Sequence, residues 1–275
     1  MCIILGEILK FGIVSKYGSE EADKVAKEIG DYIAEKGEVV FEEGVKERLG
    51  SKGASKPLNE LCADVIVVVG GDGTIFRAIQ QAKGKVLGIN VGKIGFLAEC
   101  VPSNAKDAID RIFKGDYVID RRGKLATEID GVRLPDAMNE SVVHTSHISK
   151  MRHFRIFIDD EFAEEFRADG VIFATPTGST GYALSAGGPI VDPRVNCFIV
   201  APLAPFKLSA RPLIVPSNAK IKLELAEKKS AVLVIDGQYQ KDINEQYVTF
   251  FQSENYAEFI RFKPDFYSRI GKLVV

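Results

Sequence analysis

The sequence predicts a doubly wound, parallel α/β domain over residues 1–117, followed by a mostly antiparallel β-sandwich domain over residues 118–255. Three observations predict it. Apolar runs alternate with amphipathic stretches as far as Phe113, which is the pattern of strand, helix, strand units. One of those runs, Val65–Val69, is apolar throughout and β-branched, as expected of a parallel strand buried on both faces. Beyond Gly115 the texture changes to short strand-like runs separated by turn signals. The tail, about 256–275, is apolar and basic by turns, and either closes the β domain or returns to the first one.

Phe11–Ser15 reads as the first clear strand. From Ser19 the apolar residues Ala22, Val25, Ala26, Ile29, Ile33 and Ala34 recur at helical spacing, and Gly37 ends the helix. Glu38–Phe41 opens a second unit that reaches Leu61, and Asp64 precedes the Val65–Val69 strand. After glycines at 70, 71 and 73, Ile75–Ile79 has helical spacing and Val86–Asn90 supplies another buried strand, which implies a right-handed crossover. A helix from Asn104 to Phe113 closes this half. In the second half, Arg121–Ile129 ends at Asp130-Gly131, Phe154–Ile158 at Asp159-Asp160 and Ala231–Ile235 at Asp236-Gly237, with Val171–Ala174, Phe198–Ala201 and Ile221–Leu225 as further strands.

With 46% hydrophobic and 27% charged residues the chain reads as an ordinary globular protein, and no stretch approaches the roughly 18–20 apolar residues of a membrane span. Neither membrane nor nucleic acid is expected as a partner, since a net charge of −2 provides no global field for polyanions. Cys2, Cys62, Cys100 and Cys197 lie far apart without a CxxC pair and read as reduced packing residues. Met1 to Leu9 is apolar but short and carries Glu7, so it reads as a strand rather than a signal peptide, leaving the cytoplasm as the expected compartment.

The strongest local signal is Gly70-Gly-Asp-Gly-Thr74, at the carboxyl end of a buried strand and the start of a helix. Glycines there let backbone amides approach phosphate while the helix N-terminus favours negative charge. Asp72 is anomalous in such a loop unless it binds a metal or takes a proton from a hydroxyl. The plainer alternative is that Asp72 caps the helix and the glycines make a turn. No GK followed by Ser or Thr occurs, which excludes a Walker loop. The second signal, Ala174-Thr-Pro-Thr-Gly-Ser-Thr-Gly-Tyr182, packs four hydroxyls, two glycines and a proline into one loop after Arg167-Ala-Asp-Gly170. It reads as a polar binding loop, the plainer alternative being that Ser179 or Thr180 caps a helix over Tyr182–Ser185. His144 and His147, followed by His153, do not form a metal set by spacing, and Arg121-Arg122 and Lys228-Lys229 read as solvated turns.

These loops, together with Asn90-Val-Gly-Lys-Ile-Gly-Phe-Leu97, Asn139-Glu140, Ser209-Ala-Arg-Pro212 and Asp236-Gly-Gln238, resemble the NAD kinase family over nearly the whole chain. The resemblance implies that the γ-phosphate of ATP, or of polyphosphate in its place, passes to the 2'-hydroxyl of the adenosine ribose of NAD. It makes Asp72 the catalytic aspartate, with Gly71, Gly73 and Thr74 along the phosphate path. Asn139 and Glu140 hold the adenosine part of NAD and Phe96 walls its adenine. Thr177, Thr180 and Tyr182 lie around adenine and nicotinamide, and Asp169, Ser185 and Ala204 at the nicotinamide end. Asp236 stands near the triphosphate or an adjoining subunit, and Arg167, Gly181 and Gln238 join the substrate-binding set. Mg²⁺ is the implied cofactor, held mainly through nucleotide phosphates with no protein ligand set, and a homodimer or homotetramer is the implied assembly.

Two departures stand out. Gly181 occupies a position where alanine is common and should loosen the loop, and Phe206 follows Pro205 where many members carry histidine. Two other readings share the first loop or its ligand: a lipid kinase of the diacylglycerol or sphingosine type, and a non-catalytic dinucleotide-binding regulator. Asn90–Leu97, in place of the Gly-Thr-x-Asn-Asp stretch of the lipid kinases, argues against the first. The carboxylate of Asp72 argues against the second.

Overall fold

The computed structural model describes residues 8–51, 53–92, 95–147, 150–227, 230–244 and 247–273. Most of the proposed Met1–Leu9 strand, with Cys2, and the Lys228-Lys229 pair lie outside them. The chain divides into two compact units, Met1–Arg121 with Ala257–Val275, and Arg122–Tyr256.

The first unit starts with strand β1 (Lys10–Ser15), helix α1 (Glu20–Ala34), β2 (Glu38–Glu42), α2 (Glu43–Leu49) and β3 (Ala54–Lys56). Then come β4 (Cys62–Val69), α3 (Asp72–Gln81), β5 (Lys83–Ile89) and α4 (Ala105–Phe113). Helix α1 begins where Ser19 accepts the Ala22 N–H at 3.3 Å, and Glu20, Glu21 and Asp23 in its first turn suit the positive end of the helix. Its buried stripe is Ala22, Ala26, Ile29, Gly30 and Ile33. At Gly30 a methyl group would sit 2.5 Å from the Phe41 ring, so only glycine lets helix and sheet approach this closely. The strands pair in parallel in the order β5, β4, β1, β2, β3. Chain order therefore reverses at the β4–β1 junction, the switch point where open α/β sheets bind ligands at the carboxyl ends of their strands. Ser15 and Gly70 stand at those ends.

The second unit contains most of β6 (Val118–Ile129), then β7 (Val132–Arg133), β8 (Glu140–Thr145), β9 (Arg152–Ile158), β10 (Glu161–Ala168) and β11 (Gly170–Ala174). A 3-10 turn at Thr177–Thr180 leads to the short helix α5 (Tyr182–Ser185). The remaining strands are β12 (Cys197–Leu203), β13 (Leu213–Pro216), β14 (Ile221–Leu225), β15 (Ala231–Ile235), β16 (Tyr239–Ile243) and the long β17 (Tyr247–Arg261). One sheet runs β13, β12, β11, β8, β15, β16 and is antiparallel throughout. The other brings together β10, β9, β14 and β17, again antiparallel. Their facing side chains form one core in which Phe173 of the first sheet stacks on Phe250 of the second, centroids 3.8 Å apart. The three hairpin corners read from sequence are present. Asp130-Gly131, Asp159-Asp160 and Asp236-Gly237 all have positive φ at both positions, which short aspartate and glycine tolerate.

The end of β17 returns to the first unit, where Phe259 pairs in parallel with Val86 of β5. Helix α6 (Phe266–Leu273) follows it there, so the tail joins the α/β unit. Arg121 and Arg122 lie within β6 rather than in a turn, because a strand reads through them to the Asp130-Gly131 corner. Arg121 pairs with Glu258 at 3.2 Å. The cysteines at 62, 100 and 197 are free thiols, but Cys62, at the exposed start of β4, is not a packing residue. Burial pushes the Cys100 thiol up to about 12, with Glu99 adding to the effect.

Candidate active site

In the first unit, β4 delivers the chain to Gly70, whose N–H donates to Ile89 at 2.9 Å and ties the loop to the end of β5. Thr74 folds back over Gly70: a methyl group there would lie 2.5 Å from Thr74 Oγ1. At Gly71 and Gly73 a methyl group would meet nothing within 4 Å. Packing therefore explains Gly70 but neither of the other two, whose bare backbone leaves the first turn of α3 approachable.

Asp72 is the first residue of α3 and Gly71 its cap. The carboxylate does not cap the helix, contrary to the plainer reading of the sequence. Oδ2 accepts the Phe96 N–H at 2.8 Å and Oδ1 the Leu97 N–H at 3.2 Å. Two amides from one strip of backbone fix the carboxylate in plane and rotation. Gly95 makes this possible, since a methyl group on it would lie 2.2 Å from Asp72 Oδ1. The strip itself is pinned to β5 through Glu99 N–H to Gly88 and Asn90 N–H to Cys100, both at 2.8 Å. Phe96 is half-buried beside the aspartate it holds. Lys93 and Ile94, within the Asn90–Leu97 motif, lie outside the described residues.

The second unit gathers Asn139, Glu140, Gly181, Tyr182 and Asp236 at one end of β8, β11 and β15. Asp236 is buried and acts as a clamp: Oδ2 accepts Met138 N–H at 2.7 Å, and Oδ1 accepts Asn139 N–H at 2.7 Å and Glu140 N–H at 3.1 Å. Its own N–H returns to the Glu140 carbonyl at 3.0 Å. Glu140 sits in the corner thus formed, with one carboxylate oxygen, Oε2, buried and without a hydrogen-bond partner. Burial, and then the nearby Asp236 charge, push the Glu140 carboxyl up to about 7 against the opposing pull of the Tyr182 N–H. Gln238 is exposed on the adjoining turn.

The hydroxyl-rich loop does not present all four hydroxyls outward. Thr175 Oγ1 donates to the Met138 carbonyl at 2.5 Å and accepts Gly178 N–H at 3.2 Å, and Ser179 Oγ exchanges hydrogen bonds with both backbone groups of Val191. Thr180 Oγ1 donates to Thr177 at 3.4 Å, while Thr177 Oγ1 accepts from Arg122 at 3.3 Å. Neither Ser179 nor Thr180 caps α5, because Gly181 intervenes as its cap residue and has no side chain. Gly181 stands close to two side chains of the site. A methyl group there would lie 3.2 Å from Glu140 Oε2 and 3.3 Å from Asn139 Nδ2, so its bareness leaves room for the acidic side chain.

Arg167, Asp169 and Ala204 form a separate group. Asp169 N–H donates to Leu203 at 3.0 Å and Phe206 N–H to Arg167 at 2.8 Å, with Ala204 at φ 45 in the turn between. They lie at the Gly170 end of β11, whereas Glu140 pairs with Ala174 at its other end, so about 20 Å separates the two groups. Ser185 is exposed at the end of α5. Sequence reasoning passed over Gly95, Leu97 and Arg269. The signal for Gly95 and Leu97 lay inside the Asn90–Leu97 motif, whereas nothing local marks Arg269. No group of three or more His, Cys, Asp or Glu side chains suited to a metal occurs among the described residues. No helix among them is long and apolar enough to cross a membrane.

Comparison with known proteins finds relatives over nearly the whole chain. A family model described as the ATP-NAD kinase N-terminal domain matches residues 11–117, and one described as the ATP-NAD kinase C-terminal domain matches residues 138–262. The chain is 43% identical to an NAD kinase of Thermococcus kodakarensis over 269 residues, covering 95% of this chain and 97% of that one. It is 40% identical to an NAD kinase of Methanothermobacter thermautotrophicus over 275 residues, covering 98% and 97%. Among solved structures, an NAD kinase from Archaeoglobus fulgidus in complex with ATP superposes with a TM-score of 0.77 at 31% identity, covering 97% of this chain and 99% of that one.

Proposed function

The chain belongs to the NAD kinase family, an ATP-dependent phosphotransferase, and from that premise we propose that Asp72 is the group that activates the accepting hydroxyl of NAD. The observation that carries this is the pair of amides on Asp72, which hold a carboxylate rigidly at the start of α3 beside an otherwise phosphate-friendly loop. The comparisons give no support to the lipid-kinase or regulator readings.

In the proposed reaction the 2'-oxygen of the adenosine ribose attacks the γ-phosphorus of ATP. The bond from the γ-phosphorus to its bridging oxygen breaks, ADP leaves, and the hydroxyl proton passes to Asp72. A poor nucleophile of this kind gains most from alignment and from proton acceptance, and a carboxylate that cannot rotate supplies both. Gly71, Gly73 and Thr74 line the phosphate path, where bare backbone lets the triphosphate approach the helix start. Asn139 and Glu140 bind the adenosine part of NAD with Phe96 walling its adenine. Gly181 gives Glu140 its room, and Asp236 holds the Asn139-Glu140 backbone in register. Thr177, Thr180 and Tyr182 extend that subsite, and Arg167, Asp169, Ser185 and Ala204 supply the nicotinamide end.

Asp72 places a carboxylate at the phosphate loop, a hard oxygen donor that suits a hard cation arriving with its nucleotide. Magnesium bound to ATP supplies charge neutralisation on the triphosphate. Homo-oligomeric assembly belongs to the same reading, supported by the highly exposed Phe206 and Leu208 beside Ala204. A cytoplasmic setting accords with the free thiols of Cys62, Cys100 and Cys197.

The test is NADP formation from NAD, ATP and magnesium by the purified protein, beside Asp72→Asn. Wild-type NADP synthesis with a loss on the order of 10² or more in the variant is expected. An equally active Asp72→Asn variant would remove Asp72 from the chemistry. A folded wild type inactive with either ATP or polyphosphate would remove the activity itself.

A further inference from the structure

The strip Gly95–Ala98 has two sides. Its amide side holds Asp72. Its carbonyl side is held by two arginines from the end of the chain: Arg269 of α6 donates to the Phe96 carbonyl at 3.0 Å and also to the Ala98 carbonyl, and Arg261 of β17 donates to the Leu97 carbonyl at 2.9 Å. Both cations are largely buried, and they converge on Glu99, whose side chain is 4% exposed, at 3.1 Å from Arg261 and 3.6 Å from Arg269. Asp265 and Asp120 complete the cluster, at 2.6 Å from Arg269 and 3.4 Å from Arg261. Buried charges paired this closely are costly to misplace, so the cluster has a single geometry.

The Phe96 carbonyl and the Leu97 N–H belong to one peptide unit. A guanidinium on that carbonyl polarises the unit and strengthens the N–H at its other edge, the donor to Asp72 Oδ1. We infer that Arg269 is a positioning residue for Asp72, acting through the Phe96–Leu97 peptide, so that the C-terminal helix is part of the catalytic apparatus. This rests on Asp72 being the catalytic carboxylate. Arg261 steadies the next carbonyl along and contributes less, since the peptide it touches donates nothing to Asp72.

The experiment is a double-mutant cycle in the full-length protein. Arg269→Met is made in the wild type and in Asp72→Asn, and kcat, KM for NAD and for ATP, and thermal stability are measured for each. In the wild type kcat falls roughly tenfold while both KM values stay within about twofold, the signature of a lost transition-state alignment. In Asp72→Asn the same substitution leaves the residual rate unchanged. An equal loss in both backgrounds, or a loss carried by KM, overturns the inference and marks Arg269 as merely structural. Arg269→Lys keeps a cation on α6 and restores most of kcat. Should the methionine variant not fold, Arg269→Gln, which keeps a donor but loses the charge, carries the cycle and is judged by the same comparison of backgrounds. An Asp72→Asn enzyme as active as wild type would instead remove the reading on which the inference rests.

Discussion

Asp72 and Gly95 stand so close that one methyl group on Gly95 would lie 2.2 Å from Asp72 Oδ1. The carboxylate occupies the volume that any other residue at 95 would need, and it is that proximity which lets the next two amides reach it.

Gly95→Ala should therefore displace the Asp72 side chain or the strip, since backbone and carboxylate cannot both stay. A fall in kcat on the order of 10² is expected with the protein still folded, measured as NADP formation alongside a thermal unfolding scan. Unchanged kcat would show that the carboxylate position is immaterial.

Glu140 makes the stability of the second unit pH-dependent. Its carboxyl titrates at about 7 in the folded protein against an ordinary value of 4.5, so the folded state binds the extra proton in that window. The sign is that stability is greatest below the lower value, falls as pH rises from about 4.5 to about 7, and is lowest above it. The difference of 7 − 4.5 = 2.5 corresponds to about 3 kcal/mol. Glu140→Gln, neutral throughout, should gain on the wild type at pH 8 and lose that gain by pH 5 in denaturant titrations. Parallel curves at both pH values would rule this out.

Gly181→Ala tests the room left for that carboxylate. The added methyl presses on Glu140 Oε2 at 3.2 Å, on Asn139 Nδ2 at 3.3 Å and on the Gly178 carbonyl at 3.3 Å, two of which are movable side-chain ends. A rise of roughly threefold to tenfold in KM for NAD is expected, with kcat little altered, and Glu140→Asp in the same chain should restore KM. Failure of the shorter acid to compensate would separate the two positions.

Thr175→Val probes the inward-facing hydroxyl. Valine keeps the shape but leaves the Met138 carbonyl and the Gly178 N–H without their partner in a buried site, which should cost about 1–3 kcal/mol in equilibrium unfolding. A neutral substitution would mean that water replaces the hydroxyl.

Much of the fold was legible because its causes are local. Val65–Val69 announces a strand buried on both faces by having no polar residue to place outward, and the Asp-Gly and Asp-Asp pairs announce corners because few residues accept positive φ. The Gly70–Thr74 loop was legible as a glycine-rich strand-to-helix turn for the same reason, since glycines at a strand end matter wherever the rest of the chain goes.

The partners of the site residues were not legible. Asp72 is held by backbone amides of Phe96 and Leu97, and an amide is the same whatever side chain it bears, so no residue type marks the contact. The inward turn of Thr175 and Ser179, the clamp that Asp236 places on residues 138–140, and the return of Arg269 to the Phe96 carbonyl are likewise contacts across long stretches of chain. By itself the sequence determined which segments are strands and helices, where the chain turns and which loops are candidates for the chemistry, because periodicity and backbone conformational preference act over a few residues. Only the tertiary structure decided which hydroxyls face inward, what orients the carboxylates and where the tail ends, because those depend on packing that brings distant backbone groups within hydrogen-bond reach.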